Sequence, residues 1–162
     1  MGDKCFWELI EFAWAAVGGK VEDRQKLAAG KLPEEGARAL RESLGEVMAV
    51  LTSQLDQLSA EELMAFDRIL EQKLYDIDRS DVHYHVDGSD DGFLYARGFI
   101  VAAGKAYYEA VNANPAVAVF DLECEEMCYL SWHLYEDKFG EMPSSGISRE
   151  SCSNDAGWHD PG

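Results

Sequence analysis

The chain has 162 residues, the usual size of one domain, and 47% of them are hydrophobic, enough for a core. No apolar stretch approaches the ~18 residues of a membrane-spanning helix. Acids outnumber bases 31 to 14, for a formal net charge of −17. That balance sets nucleic acid and anionic membrane aside as partners, because their phosphates would be repelled rather than neutralised.

The start, MGDKCFWELIEFAW, has no basic segment leading into a plain apolar run, so no secretory signal is expected. Phe6 stands where myristoylation needs Ser or Thr. The expected compartment is the cytoplasm. From here helical periodicity dominates. Phe6, Ile10, Ala13 and Val17 recur at spacings of three and four, and Gly18-Gly19 stops the run. Residues 21–31 add a short helix. Pro33 opens a longer one at a favoured first-turn position, with Leu40, Leu44, Val47, Leu51, Leu55 and Leu58 on one stripe. Ser59 and Glu62 have the spacing of a capping box, and the helix they open turns Leu63, Phe66, Leu70, Leu74 and Ile77 inward. A loop is expected over 78–88, within which only Asp81–Val86 alternates as a strand does. A helix from about 90 to 112 gathers Phe93, Ala96, Ile100, Ala103, Tyr107 and Val111, and Asn114-Pro115 breaks it. The last helix is expected from about 116 to 139, with Phe120, Cys124, Met127, Ser131 and Leu134 inward and Gly140 at its end.

The expected fold is therefore all-α, a compact single-domain bundle of five or six helices over residues 1–142 with a short irregular loop at 78–88. Residues 143–162, PSSGISRESCSNDAGWHDPG, are rich in Ser, Gly and Pro and read as a flexible C-terminal tail, with Trp158 the aromatic exception. Cys5, Cys124, Cys128 and Cys152 fit no C-x2-C zinc spacing and are expected as free thiols, Cys124 and Cys128 in the core.

The stretch HYHVDGSDDGFLYARG, residues 83–98, concentrates polar chemistry. Asp87, Ser89, Asp91, Gly92 and Leu94 match the early positions of a calcium-binding EF-hand loop, but Gly98 stands where the loop needs a bidentate carboxylate. On a strand, His83 and His85 would point the same way and reach one metal ion. The third reading accounts for most of the residues. Ser89, Asp90 and Asp91 are strong N-cap types ahead of an apolar-periodic helix, where their oxygens take free N–H groups and their charge suits the positive helix end. Arg97, about two turns into that helix, is expected to bridge to an aspartate or another helix as scaffold.

Three segments also resemble a known pattern. KCFWELIEFAW supplies Phe6, Trp7, Leu9 and Ile10; LSAEELMAFDRILEQKLYDID follows; SDDGFLYARGFIVAAGKAYYEAV supplies Ser89, Asp90, Asp91, Gly92, Phe93, Tyr95, Arg97 and Gly104. The chain resembles a bacterial domain-of-unknown-function family, family 4240, over roughly residues 4–142. It departs at Ala96, where the family has an aromatic, and at Phe99, where it has tryptophan. The resemblance implies an α-helical fold and carries no activity.

No G-x-S-x-G, P-loop, dinucleotide fingerprint or H-E-x-x-H occurs, so no enzymatic activity and no cofactor is expected. The acid is uneven: residues 115–142 hold seven acids against one base. On the last helix Glu125, Tyr129, Trp132 and Glu136 share the outer face at spacings of four, three and four. Aromatics flanked by carboxylates suit an interface with a basic protein, the rings supplying contact area and the acids steering the encounter. The expected function is an acidic protein-binding module, most concretely an immunity-type inhibitor that masks the basic cleft of a cognate toxin or nuclease. The alternative is a metal-binding module or metal-dependent enzyme built on His83 and His85, with Asp87, Asp90 and Asp91 at the same loop.

Overall fold

A computed structural model describes residues 1–159. Its helices are α1 (Asp3–Ala16), α2 (Val21–Ala28), α3 (Glu34–Leu55), α4 (Ala60–Asp76), α5 (Ser80–Val86), α6 (Asp90–Ala102), α7 (Lys105–Ala113), α8 (Glu125–Phe139) and α9 (Asp155–Trp158), with one 3-10 turn at Pro115–Val117. The fold is all-α, with no strand among the described residues. None of these helices is long and apolar enough to cross a membrane.

The apolar stripes become the core as their spacing requires. Phe6, Ile10, Ala13 and Trp14 of α1 are buried together with Leu40, Leu44, Val47 and Leu51 of α3 and with Leu63, Phe66, Leu70 and Leu74 of α4. Ser59 caps α4 through the expected box: its Oγ accepts from the Glu62 N–H, and Glu62 accepts from the Ser59 N–H. Helix α6 is the centre. Every residue from Phe93 to Ala103 except Tyr95 is buried, and the helix packs on α8, α4 and α7. A helix apolar on all sides belongs inside a bundle. Its close approach to α8 depends on Gly98, where a Cβ would press into the Cys124 carbonyl oxygen and lie 2.6 Å from the Cys128 Sγ.

Four expectations are corrected by local chemistry. The 90–112 helix is two helices, because Gly104 adopts φ +108°, a conformation that L side chains rarely take. Arg24 stabilises this break: its Nε donates to the Ala103 carbonyl at 3.1 Å while its guanidinium sits 4.7 Å over Trp14 and pairs with Glu11. The last helix starts at Glu125 rather than near 116, so Phe120 is 62% exposed instead of inward, although Cys124 is buried as expected. Extended backbone leads into it, held by the Cys124 N–H donating to the Tyr95 carbonyl at 2.9 Å. The expected loop 78–88 contains α5, so the bundle has more and shorter helices than the periodicity suggested.

The fourth correction concerns the C-terminal segment, expected to be a mobile tail. Residues 143–159 lie along the body, while 160–162 fall outside the described residues. Trp158 docks beside His83 and Phe93, with ring centroids 5.5 and 5.7 Å away. Gly157 runs so close to Arg79 that a Cβ there would lie 2.6 Å from the Arg79 Cγ and 2.8 Å from the Asp78 carbonyl. Composition suggested disorder because the segment has little apolar surface to bury. Its anchors are charges inside the body.

Candidate functional site: a buried charge groove and an acidic outer face

Among the described residues four charged side chains are buried: Asp67, Asp78, Arg97 and Arg149. Asp67 occupies an apolar-stripe position of α4, between Leu63 and Leu70, and is 3% exposed. Its Oδ1 accepts from the Ser131 hydroxyl of α8 at 2.8 Å, and its Oδ2 accepts from Arg149 Nη2 at 2.8 Å. Arg149 also donates to Glu71 Oε2 at 2.8 Å and to the Cys128 carbonyl at 2.6 Å. Its guanidinium thus meets two carboxylates, a helix carbonyl and the face of Tyr129, 5.7 Å away. Burial opposes the Arg149 charge, but Asp67 and Glu71 together outweigh it and hold its pKa above the ordinary arginine value. A buried cation is tolerable only with such pairing.

Asp78 follows α4 and is fully buried. It accepts from three consecutive backbone N–H groups, Cys152 at 3.0 Å, Ser153 at 2.8 Å and Asn154 at 3.0 Å, and from the Trp158 indole N–H at 2.9 Å. Arg97 of α6, also fully buried, donates to the Leu74 carbonyl at 2.8 Å, the Arg149 carbonyl at 3.0 Å and the Ser151 hydroxyl at 3.1 Å. Burial lowers its pKa, with the nearby Asp78 charge working the other way. It makes no bridge to Asp90 or Asp91 among the described ion pairs; carbonyls and a hydroxyl are its partners. Its Nε has no hydrogen-bond acceptor among the described residues. The sequence carried one signal for this groove. Asp67, Arg97 and Ser131 are polar residues at core positions of their helices. Asp78 and Arg149 carried none.

The outer face of α8 holds the four residues singled out above. Glu125 and Glu136 are exposed; Tyr129 and Trp132 are half-buried, with ring centroids 5.9 Å apart. The His133 ring stacks on Tyr129 at 5.9 Å and 11°. Tyr129 donates its hydroxyl to Glu150 at 2.9 Å, and burial together with that carboxylate raises its pKa, so it stays a donor. Tyr129 and Trp132 also line a cavity of about 310 Å³ between α4, α8 and residues 142–150, with Asp67, Glu71 and Arg149 in its wall. The outer face and the groove therefore meet at these two rings. Around the start of α8, Glu123 and Glu125 lie beside the first turns of α6, while Asp121 shares a surface pocket with Arg38 and Arg41 of α3, and Glu126 shares one with Arg41. Glu123 would lie 3.4 Å from a Cβ at Gly92, and Glu125 and Asp91 both act to raise the Tyr95 pKa, after its desolvation. None of these acids has an ion-pair partner within 4.0 Å among the described residues.

The 83–98 stretch resolves into a helix-loop-helix joint. His83 and His85 lie on α5, where residues two apart point to different sides, so the strand geometry that would have brought both rings to one ion is absent. His83 Nε2 is 2.9 Å from the Gly88 carbonyl, and the ring packs edge-on against Phe93; His85 packs against the exposed Tyr84. Among the described residues no group of three His, Cys, Asp or Glu is placed to hold a metal. Ser89 is the N-cap of α6, its Oγ accepting from the Gly92 N–H at 3.2 Å, and Asp90 and Asp91 occupy the first turn. That helical start also removes the EF-hand geometry. Asp87 forms the turn before it, at φ +58°, and all three aspartates are exposed.

No curated protein and no solved structure matches the chain. A family model does match residues 1–137, which include every helix through most of α8 and the buried Asp67, Asp78 and Arg97 but not Arg149. The chain belongs to the family described as "Protein of unknown function (DUF4240)".

Proposed function

We propose that the protein is an acidic protein-binding module, and most concretely an immunity-type inhibitor that covers the basic cleft of a cognate toxin or nuclease. The observation that carries this reading is the surface of α8. Half-buried Tyr129 and Trp132 lie between exposed Glu125 and Glu136, next to carboxylates that form no ion pair within 4.0 Å among the described residues. The negative field steers a basic partner, with association up to about 10⁸–10⁹ M⁻¹s⁻¹ at low salt. The rings then anchor the complex by burying area at little entropic cost, and the bound domain blocks the cleft sterically.

The test is affinity capture at low salt from native lysate, followed by titration of the identified partner. Wild type, Tyr129→Ala/Trp132→Ala and Glu125→Gln/Glu136→Gln proteins are compared, with helicity monitored by circular dichroism. The reading expects one basic protein, eluted by salt, whose affinity falls with the ring variant and whose association rate falls with the charge variant. Co-expression should also relieve the growth defect that partner causes. Equal affinity of all three proteins for the captured partner removes this face as the interface.

A further inference from the structure

Residues 143–159 contact the body as a bound peptide contacts a receptor. They contain one arginine, seated between the Asp67 and Glu71 carboxylates. They present three successive main-chain N–H groups to a buried carboxylate, Asp78, and offer a carbonyl and a hydroxyl to a buried arginine, Arg97. The receptor groups lie on α4, α6 and α8 and just after α4, all within the span that the family model matches, whereas the segment lies outside it. Much of what fixes the segment is hydrogen bonding to charged groups. Asp67 and Glu71 form a fork for a guanidinium, supported from behind by the Ser131 hydroxyl and capped by the Cys128 carbonyl. Arg97 keeps its Nε without an acceptor among the described residues even with the segment in place.

We propose that this groove is a recognition site for an arginine-bearing extended peptide of another protein, and that the chain's own 143–159 segment occupies it in cis as an intramolecular competitor. The ligand inserts an arginine between Asp67 and Glu71, which a planar fork matches and a lysine does not. It lays its following residues across Arg97 and Asp78. Tethering keeps the segment at an effective concentration in the millimolar range, so the native chain binds such a peptide weakly and a chain with a loosened segment binds it well. This site borders the Glu125–Glu136 face at Tyr129 and Trp132, but its ligand is held by Asp67, Glu71, Asp78 and Arg97, so neither proposal depends on the other.

The probes are two synthetic peptides, one spanning residues 143–159 and one spanning only 147–152, ISRESC, each also made with an Arg149→Ala and an Arg149→Lys change. The receptor is the full chain carrying Arg149→Glu, which places a third carboxylate against Asp67 and Glu71 and expels the segment. Both arginine peptides are expected to bind this chain at least tenfold more tightly than they bind wild type. The alanine and lysine peptides should lose at least tenfold, and adding Asp67→Asn/Glu71→Gln to the receptor should abolish binding.

A second measurement uses the wild-type chain and does not depend on the variant folding. Millimolar ISRESC should speed hydrogen exchange at the amides of 150–158 while α4, α6 and α8 keep their protection. The proposal is overturned if the hexapeptide leaves wild-type exchange unchanged, or if only the complete 143–159 peptide binds. Either result makes the segment an integral part of the fold rather than the occupant of a site.

Discussion

Replacing Asp78 by Asn tests whether a single buried carboxylate holds the C-terminal segment. The side chains are nearly isosteric, so packing is preserved and the change is one of charge and acceptor capacity. Asp78 accepts four hydrogen bonds, from the N–H groups of Cys152, Ser153 and Asn154 and from the Trp158 indole. At about 1.5–3 kcal/mol for each bond to a charged acceptor, simple addition gives roughly 6–12 kcal/mol. That sum is never realised. Once the penalty exceeds the docking free energy of the segment, the segment lifts off and water takes its N–H groups. Asparagine also keeps one acceptor oxygen and turns an amide N–H₂ toward the remaining donors. Arg97, meanwhile, loses the nearby charge that does most to offset its burial. A loss of about 3 kcal/mol in docking is expected, which is about 10²-fold in the opening equilibrium. Hydrogen exchange followed by mass spectrometry should show that loss of protection at amides 152–154, with Trp158 emission shifting to the red as its ring leaves His83 and Phe93. Helices α1 to α3 should be unchanged. Wild-type exchange at 152–154 in the Asp78→Asn protein would refute the reasoning, because the segment would then be held by contacts other than this carboxylate.

Gly98→Ala should destabilise the fold by about 1–3 kcal/mol in urea unfolding, since the added methyl meets the Cys124 carbonyl and the Cys128 sulfur in a well-packed helix crossing. Ser59→Ala removes the N-cap of α4 and should cost about 1 kcal/mol. The capping hydrogen bonds, first the Ser59 backbone N–H, hold the Glu62 pKa below its ordinary 4.5. The box therefore stabilises fully above that value and is lost as pH falls through the lowered one, so the stability gap between the two proteins should narrow in acid. In the native protein at pH 8, thiol reagents should modify Cys5 and Cys152, which are exposed. Cys124 and Cys128, whose pKa values burial pushes up to about 11 and about 12, should react only on unfolding.

The helical stripes were legible because burying one face of a helix needs apolar residues every three or four positions, and Phe6–Val17, Leu40–Leu58 and Leu63–Ile77 keep that spacing with little interruption. Breaks were harder to see. Gly104 interrupts an apolar pattern that runs on without change from Ile100 to Val111, and what makes a break there stable is Arg24, 80 residues earlier in the chain. The Ser89 cap was readable because capping is local. The C-terminal groove was not, because Arg149 meets Asp67 across 82 residues and Cys152 meets Asp78 across 74, and no local rule links such positions. The polar residues at core positions, Asp67, Arg97 and Ser131, were nonetheless visible. A charge at a stripe position requires a partner from elsewhere in the chain, and the only long stretch left without a structural assignment was the one that supplied it.

Charge divides the two sites physically. Asp67 and Asp78 balance Arg97 and Arg149 in the interior, so the charges buried among the described residues add nothing to the formal net charge of −17. Several outer cations are matched within their own helices, Lys4 with Glu8, Lys26 with Glu22, Arg38 with Glu34 and Lys105 with Glu109. The carboxylates at the start of α8 form no ion pair within 4.0 Å among the described residues. An exposed field of this kind acts over about 10 Å in 0.1 M salt and is screened beyond that, so binding at the Glu125–Glu136 face should weaken steeply as ionic strength rises. The Asp67 pocket is 3% exposed at its central carboxylate and is shielded from mobile ions. Exchange of one guanidinium for another there leaves its charge unchanged, so displacement of Arg149 by an arginine peptide should respond little to salt. Measured from 25 to 500 mM sodium chloride, the two affinities should therefore diverge. Parallel salt slopes would mean that ligand and partner meet the same exposed carboxylates, and that the buried fork takes no ligand from outside.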